Sequence, residues 1–371
     1  MNTKKIYYAK ANYGNEEINA VNKVLKKQKL NLMNSNNVKL FENKIAKLFN
    51  KKYGLMVNSC SSANLLALSA LSLPKGSEVI TPSLTFSTTV SPIIQLGLIP
   101  VLVDITIDSL LIDEKKIEKM ITKRTKAMII PNLIGNIPNL NALRRICKKN
   151  NLYFIEDSAD TINSFYNKKS TGDYSDISTT SFYASHVITC AGFGGMLCTN
   201  SHKLYKIAKK ISDHGRNPKK TFWIDGPGLK YKISNIQAAF VLGQLERVTD
   251  MILMKRRIFN WYKEFLKKNI YLSLLEEKSY TYSNYWMVSA SINNNSYKKR
   301  DRLIEYLKKN NIDSRPVFSP VSKYPIWNKK YKTNNIAKMI GCSSLNLPSG
   351  TNLTKNEVKY ICKKINSYFN L

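Results

Sequence analysis

The chain has 371 residues, 43% of them hydrophobic, enough for one large unit plus a smaller one around real cores. Its 58 Lys and Arg against 25 Asp and Glu give a net charge of +33, but the lysines are spread along the chain with no RNP-like or helix-turn-helix pattern, which argues against nucleic acid and leaves a positive field suited to an anionic small substrate. No membrane span is expected without an apolar run of about 18 residues, nor secretion from a start lacking an apolar stretch, and six scattered cysteines (Cys60, Cys147, Cys190, Cys198, Cys342, Cys362) with no C-x-x-C pair fit reduced thiols in the cytoplasm.

Apolar residues Ile18, Val21 and Leu25 at helical spacing predict a helix over Asn15 to Gln28, and V-K-L-F-E-N-K-I-A-K-L-F predicts another over Val38 to Phe49. Leu55 to Asn58 reads as a short strand. It leads into S-C-S-S-A-N-L-L-A-L-S-A-L, a seryl cluster before an apolar helix. Such a start offers free N–H groups to a phosphate, or is simply a well-capped core helix.

Strand and helix patterns then alternate. Strands are predicted at Glu78 to Thr81, Ile99 to Asp104, Ala127 to Pro131 and Leu152 to Glu156. Helices are predicted at Ser87 to Leu96, Glu114 to Ile121 and Leu140 to Lys149. This order argues for an α/β layered fold with a largely parallel sheet. Ligands in such folds gather beyond the carboxyl ends of the strands. The residues to inspect are therefore Asn58 to Ser62, Pro82 to Phe86, Asn132 and Asp157 to Asp160.

From Asp176 to Asn200 the chain reads D-I-S-T-T-S-F-Y-A-S-H-V-I-T-C-A-G-F-G-G-M-L-C-T-N. Ile177 to Phe182 is predicted as a buried strand, Gly192, Gly194 and Gly195 as a tight turn, and Met196 to Thr199 as a second strand. Ser181 and His186 lie between the two. Further on, helices are predicted at Ile236 to Val248, Leu253 to Lys267, Lys299 to Asn310 and Lys355 to Phe369, with a strand at Trp286 to Ile292. The expected division is a large domain over residues 1–248, including the N-terminal helices, and a small C-terminal domain over 249–371.

The S-F-x-x-x-K…G-G spacing of the sugar aminotransferase (DegT/StrS) family is matched here with His186 in the lysine position. In that family the lysine holds pyridoxal phosphate (PLP) as a Schiff base, which an imidazole cannot form. The exchange resembles the family's PLP/PMP-dependent nucleotide-sugar 3-dehydratase branch. V-N-S-C-S-S-A-N-L and E-D-S-A-D resemble the same branch in two further segments, and the likeness runs over nearly the whole chain.

The resemblance implies PLP fold type I (aspartate aminotransferase-like): a large domain with a mostly parallel mixed sheet and a smaller α+β C-terminal domain. It implies that Asp157 faces the pyridinium nitrogen, Phe86 stacks on the ring, Ser61, Ser62 and Ser181 hold the phosphate, Asp160, standing where most aminotransferases carry His or Gln, also binds the cofactor, and His186 is the base. Alone, Asp157 reads equally as a helix cap and Phe86 as core.

Four departures stand out. Cys60 replaces a glycine, which asks more of its turn. Asn132 stands where His is expected. Lys230 replaces an asparagine that, in the family, reaches the phosphate of the neighbouring subunit, which implies a homodimer. I-D-S-R-P-V-F-S-P-V resembles the members that make perosamine; its Arg315 is either a nucleotide-sugar contact or a surface ion pair. The iron–sulfur subset of the branch needs a C-x-C, absent from D-H-G-R-N-P-K-K-T-F-W, so no [2Fe–2S] cluster is expected.

The activity implied is loss of the C3 hydroxyl from a nucleotide-linked 4-keto-6-deoxyhexose, giving a 4-keto-3,6-dideoxyhexose and ammonia, with PMP restored by an amino donor, glutamate. His suits the base role because its ordinary pKa lies near neutrality. The alternatives are a nucleotide-sugar aminotransferase and an inactive PLP-fold protein.

Overall fold

The computed structural model describes residues 4–27, 32–33, 35–293, 297–327 and 334–371. Seven strands form the main sheet: β1 (Tyr53–Val57), β2 (Glu78–Pro82), β3 (Ile99–Val103), β4 (Thr125–Pro131), β5 (Tyr153–Asp157), β8 (Ile177–Ser181) and β9 (Gly195–Thr199), with the short β6 (Phe165–Tyr166) and β7 (Lys169–Ser170) outside it. Their order is β1-β9-β8-β5-β4-β2-β3. Strands β8, β5, β4, β2 and β3 are mutually parallel, and β9 alone runs against its neighbours. β2, β8 and β9 are buried along their whole length, as expected of strands covered on both faces.

The covering helices follow from their caps and apolar stripes. α1 (Asn15–Lys27) and α2 (Asn36–Leu48) precede β1, and the N-terminus of α2 is capped by Ser35. α3 (Cys60–Ala70) and α6 (His202–Ile211) share one apolar cluster with the sheet, built from Leu66, Val79, Ile129, Ile155 and Leu204. α5 (Leu140–Lys149), capped by Asn139, packs Leu143 and Ile146 with Ile130 and Phe154 in a separate cluster. α4 (Ser87–Gln95) follows β2, and α7 (Asn235–Glu246) opens with a Ser234/Gln237 capping box.

The stretch from Glu114 to Ile121 differs from its expected helix. It folds as two 3-10 turns, Glu114–Lys116 and Glu118–Met120, around the fully buried Ile117. Ile117 alone is fully buried, with Ile121 half-buried and Met120 exposed, too little to carry a longer amphipathic helix.

α8 (Val248–Leu266) leads into the C-terminal part. There β10 (Leu272–Leu274), β12 (Val288–Ile292), β13 (Arg315–Pro316) and β14 (Ser344–Leu347) form a second sheet, order β10-β12-β14-β13. β11 (Thr281–Tyr282) instead joins β6 of the first part. α9 (Tyr297–Lys309), α10 (Asn335–Ser343) and α11 (Lys355–Tyr368) complete the fold. Ile6, on the other side of the division expected at 248/249, packs in this C-terminal core and bridges to Ile312. No helix among the described residues is long and apolar enough to cross a membrane.

Candidate active site

The carboxyl ends of β1, β2, β4, β5 and β8, and the start of the reversed β9, lie at one edge of the main sheet. A cavity of about 490 Å³ opens there. It brings together Ser61, Phe86, Asp157, Asp160, Ser181 and His186 of the residues expected from sequence. Ser62, Lys230 and Arg315 are not among its lining.

The N-terminus of α3 forms one wall. Ser59 is its cap, accepting from the Ser62 N–H at 3.1 Å. The Ser62 hydroxyl lies 3.0 Å from that of Ser59, which ties it to the cap. Cys60 is the first helical residue, so the turn requires no glycine. Its thiol approaches Asp157 Oδ1 at 3.7 Å, and burial pushes its pKa well up. The glycine this wall does require is Gly195. A Cβ there would lie 2.2 Å from the carbonyl carbon of Ser59. Gly195 pairs with Ser181 across β9 and β8, so its bareness presses the helix start against the strand end that carries Ser181.

Asp157 ends β5 at the cavity floor. It accepts from Asn64 Nδ2 and Thr89 Oγ1, both at 2.9 Å, and from the Ala159 N–H at 3.3 Å. Burial nonetheless raises its pKa, with these donors opposing. Its alternating neighbour Glu156 points to the other face of the sheet. There it collects Asn132 Nδ2 at 2.7 Å, along with Ser158 and Ser178. That explains Asn132: its amide is drawn to Glu156, Ser158 and Thr161, away from the cavity lining.

His186 lies in the loop after β8. Its ring stacks on Trp286, with centroids 4.8 Å apart and 27° between planes. Trp286 Nε1 donates to the Ser185 carbonyl at 2.8 Å, fixing the same loop. His186 Nδ1 is sealed from solvent without a hydrogen-bond partner. Burial, aided by the charge of Lys255, pushes the imidazole down to about 3. Lys255 is 3% exposed and donates to the carbonyls of Trp286 at 2.8 Å and Ser349 at 2.6 Å; burial brings it down to about 7. Asp160 Oδ2 accepts from the Ile134 N–H at 2.8 Å, and burial pushes its carboxyl up to about 8.

Phe86 is 52% exposed although it lines the cavity, and it tilts against Phe318. Tyr183 and Phe193 pair at the same mouth. Of the residues not singled out from sequence, Asn64 and Thr89 lie within turns of helices already of interest. Trp286 and Phe318 come from the C-terminal part and carry no local signal. Arg315 pairs with Asp313 at 3.1 Å and is 61% exposed, and Lys230 shares the carboxylate of Asp213 with Lys232.

These residues fit a pyridoxal phosphate group. Asp157 is a buried carboxylate held by neutral donors and no cation, which is what a protonated pyridine nitrogen would supply. Phe86, in the same cavity, leaves ring surface uncovered. The α3 N-terminus with Ser61 and Ser181 offers phosphate donors.

That is the geometry of the fold type I pyridoxal phosphate enzymes. The chain belongs to the DegT/DnrJ/EryC1/StrS aminotransferase family, whose model matches residues 11–366. It is 35% identical over 334 residues to a GDP-perosamine synthase of Escherichia coli O157:H7, covering 90% of each chain. It is 31% identical over 304 residues to a GDP-4-keto-6-deoxy-D-mannose 3-dehydratase of another E. coli strain, covering 76% of this chain and 77% of that one. A solved E. coli GDP-4-keto-6-deoxy-D-mannose-3-dehydratase with bound hydrated PLP superposes with a TM-score of 0.89 at 27% identity, covering 97% of this chain and all of that one.

Proposed function

We propose that this protein is a PLP/PMP-dependent 3-dehydratase acting on a nucleotide-linked 4-keto-6-deoxyhexose and yielding the 4-keto-3,6-dideoxyhexose. One observation carries the reading: among the described residues the cavity is lined by an imidazole, His186, and by no lysine. An aminotransferase needs a cavity amine to hold its cofactor covalently between half-reactions, and this lining supplies none.

When bound, the cofactor supplies an electron sink for breaking a C–H bond and expelling the neighbouring oxygen. Asp157, fixed by Asn64 and Thr89, would hold the ring nitrogen. Ser61, Ser181 and the first N–H groups of α3 would hold the phosphate. Phe86 would cover one ring face. His186 would take the proton, and Trp286 closes one face of its imidazole from water.

The 35% identity to a GDP-perosamine synthase favours a second reading, an aminotransferase acting on a keto sugar. Incubation with 4-keto-6-deoxy nucleotide sugars, PLP and glutamate as amino donor separates the two. Ammonia and a dideoxy sugar support the dehydratase, whereas an amino sugar supports the transferase.

Among the described residues the lining contains no Lys or Arg. A phosphate and a sugar diphosphate call for cations, so a second copy is the natural source. The segment before Lys230 exposes Phe222, Trp223 and Leu229 beside Lys219 and Lys220. This apolar and basic surface suits a homodimer in which Lys230 reaches the partner's phosphate.

A further inference from the structure

Between β11 and β12 the chain crosses from one part of the molecule to the other through Ser283, Asn284, Tyr285 and Trp286. All four are buried, Asn284 completely. Buried polar groups must find their partners inside the protein, and here they find them on three loops of the main sheet. The Ser283 hydroxyl donates to the Gly135 carbonyl, after β4, at 2.7 Å. Asn284 Nδ2 donates to the Ile162 carbonyl, after β5, at 3.1 Å, and the Asn284 N–H donates to Ser164 Oγ at 3.2 Å. Trp286 Nε1 donates to the Ser185 carbonyl, after β8. Strands β4, β5 and β8 are neighbours in the sheet, so the segment laces their carboxyl ends together beside the cavity.

Asn284 is the centre of this lacing. Its Oδ1 accepts from the Trp286 N–H at 2.9 Å while its Nδ2 grips the loop after β5. One amide thus fixes the tryptophan backbone against the main sheet, and the tryptophan ring then lies on His186. The facing turn is shaped to admit it. Gly135 has φ +84, and a Cβ there would lie 3.0 Å from both Asn284 Oδ1 and the Trp286 nitrogen. Ile134 beside it is held at φ 60 and ψ 27, a conformation that a β-branched residue keeps only when its surroundings impose it. Its N–H is taken by Asp160, which lines the cavity.

We propose that Asn284 is a positioning residue: acting through Trp286, it sets where the loop carrying His186 lies in the cavity. With Asn284 truncated, the Trp286 N–H and the Ile162 carbonyl lose their shared partner in a buried place, and the ring over His186 loses its fixed placement. The bearing on catalysis rests on the reading of His186 as the base; the placement of the loop does not.

Amide hydrogen exchange of the full-length protein, read by mass spectrometry of peptides at matched cofactor occupancy and without substrate, tests this. The loop has amides to report on it: the Ala184, His186 and Cys190 N–H groups donate to the carbonyls of Gly192, Tyr183 and Phe182. In Asn284→Ala, peptides spanning residues 183–190 are expected to exchange about tenfold faster or more, with those of β1 and α3 unmoved. Asn284→Asp keeps the acceptor for the Trp286 N–H and loses the bond to the Ile162 carbonyl, so it must speed the same peptides, and it carries the test if the alanine variant does not fold. Tyr262→Phe, which removes a buried bond to the Pro348 carbonyl in the C-terminal core, is the control for lost stability alone and should leave the loop unmoved. Unchanged exchange at 183–190 in a folded variant, or equal acceleration along the whole chain, overturns the proposal. Because no turnover is read, that failure is distinct from a lack of dehydratase activity.

Discussion

His186 and Trp286 stack face to face at 4.8 Å, one ring from the loop after β8 and the other from just before β12. The proposed base is therefore held jointly by the two parts of the chain. Trp286→Phe keeps the stack but loses the 2.8 Å bond to the Ser185 carbonyl, which costs about 1 kcal/mol. Trp286→Ala also empties a buried site, at about 3–5 kcal/mol. Urea unfolding orders the three proteins, and the turnover rate is expected to fall in the same order.

His186→Asn should still bind cofactor through Asp157 and the serines, while dehydration falls about 100- to 10,000-fold. His186→Lys restores an amine at that position, so borohydride should trap cofactor on this variant and not on wild type. Reduction followed by peptide mass mapping checks both, and near-native dehydration by His186→Asn would remove His186 from the mechanism.

The shared site is open to a mixing experiment. His186→Asn and Lys230→Ala are each expected to be weak alone. If Lys230 serves the partner's site, mixed dimers contain one intact site each, and random exchange recovers about a quarter of wild-type activity. No recovery after verified subunit exchange would place Lys230 in its own subunit's chemistry.

Lys255 gives a pH signature. Burial brings it down to about 7 in the folded protein, while the unfolded chain keeps the ordinary, higher value. Between those two the unfolded state binds more protons, so stability from this group rises with pH. Wild type should therefore gain stability over Lys255→Met from about pH 7 to pH 9, as read by urea midpoints in matched buffers.

Much of the large sheet was legible because each strand is a short β-branched run between turn residues, and helices α3 and α5 begin at the seryl cluster and at Leu140, as expected. The residues following the strands pointed to the cavity because a parallel sheet gathers its strand ends. Asn132 escaped this logic because the buried carboxylate of Glu156 competes for its amide. Trp286 and Phe318 were not legible, since their place at the cavity depends on how the C-terminal part docks. Asp160 was expected at the strand ends and lines the cavity; its closeness to His186 Nδ1 is a property of the folded loop alone.

The bridge between Ile6 and Ile312 bears on how the molecule is made. Nearby, the Tyr8 N–H meets Asp313 across 305 residues of sequence. A chain leaving the ribosome thus presents one edge of its last core first, and must keep it available until nearly everything else has been synthesised. Contacts of such separation close slowly. The C-terminal core cannot be completed by C-terminal residues alone, so an N-terminal fusion or cleavage that ties up the segment around Ile6 would leave an apolar face open at the far end of the protein.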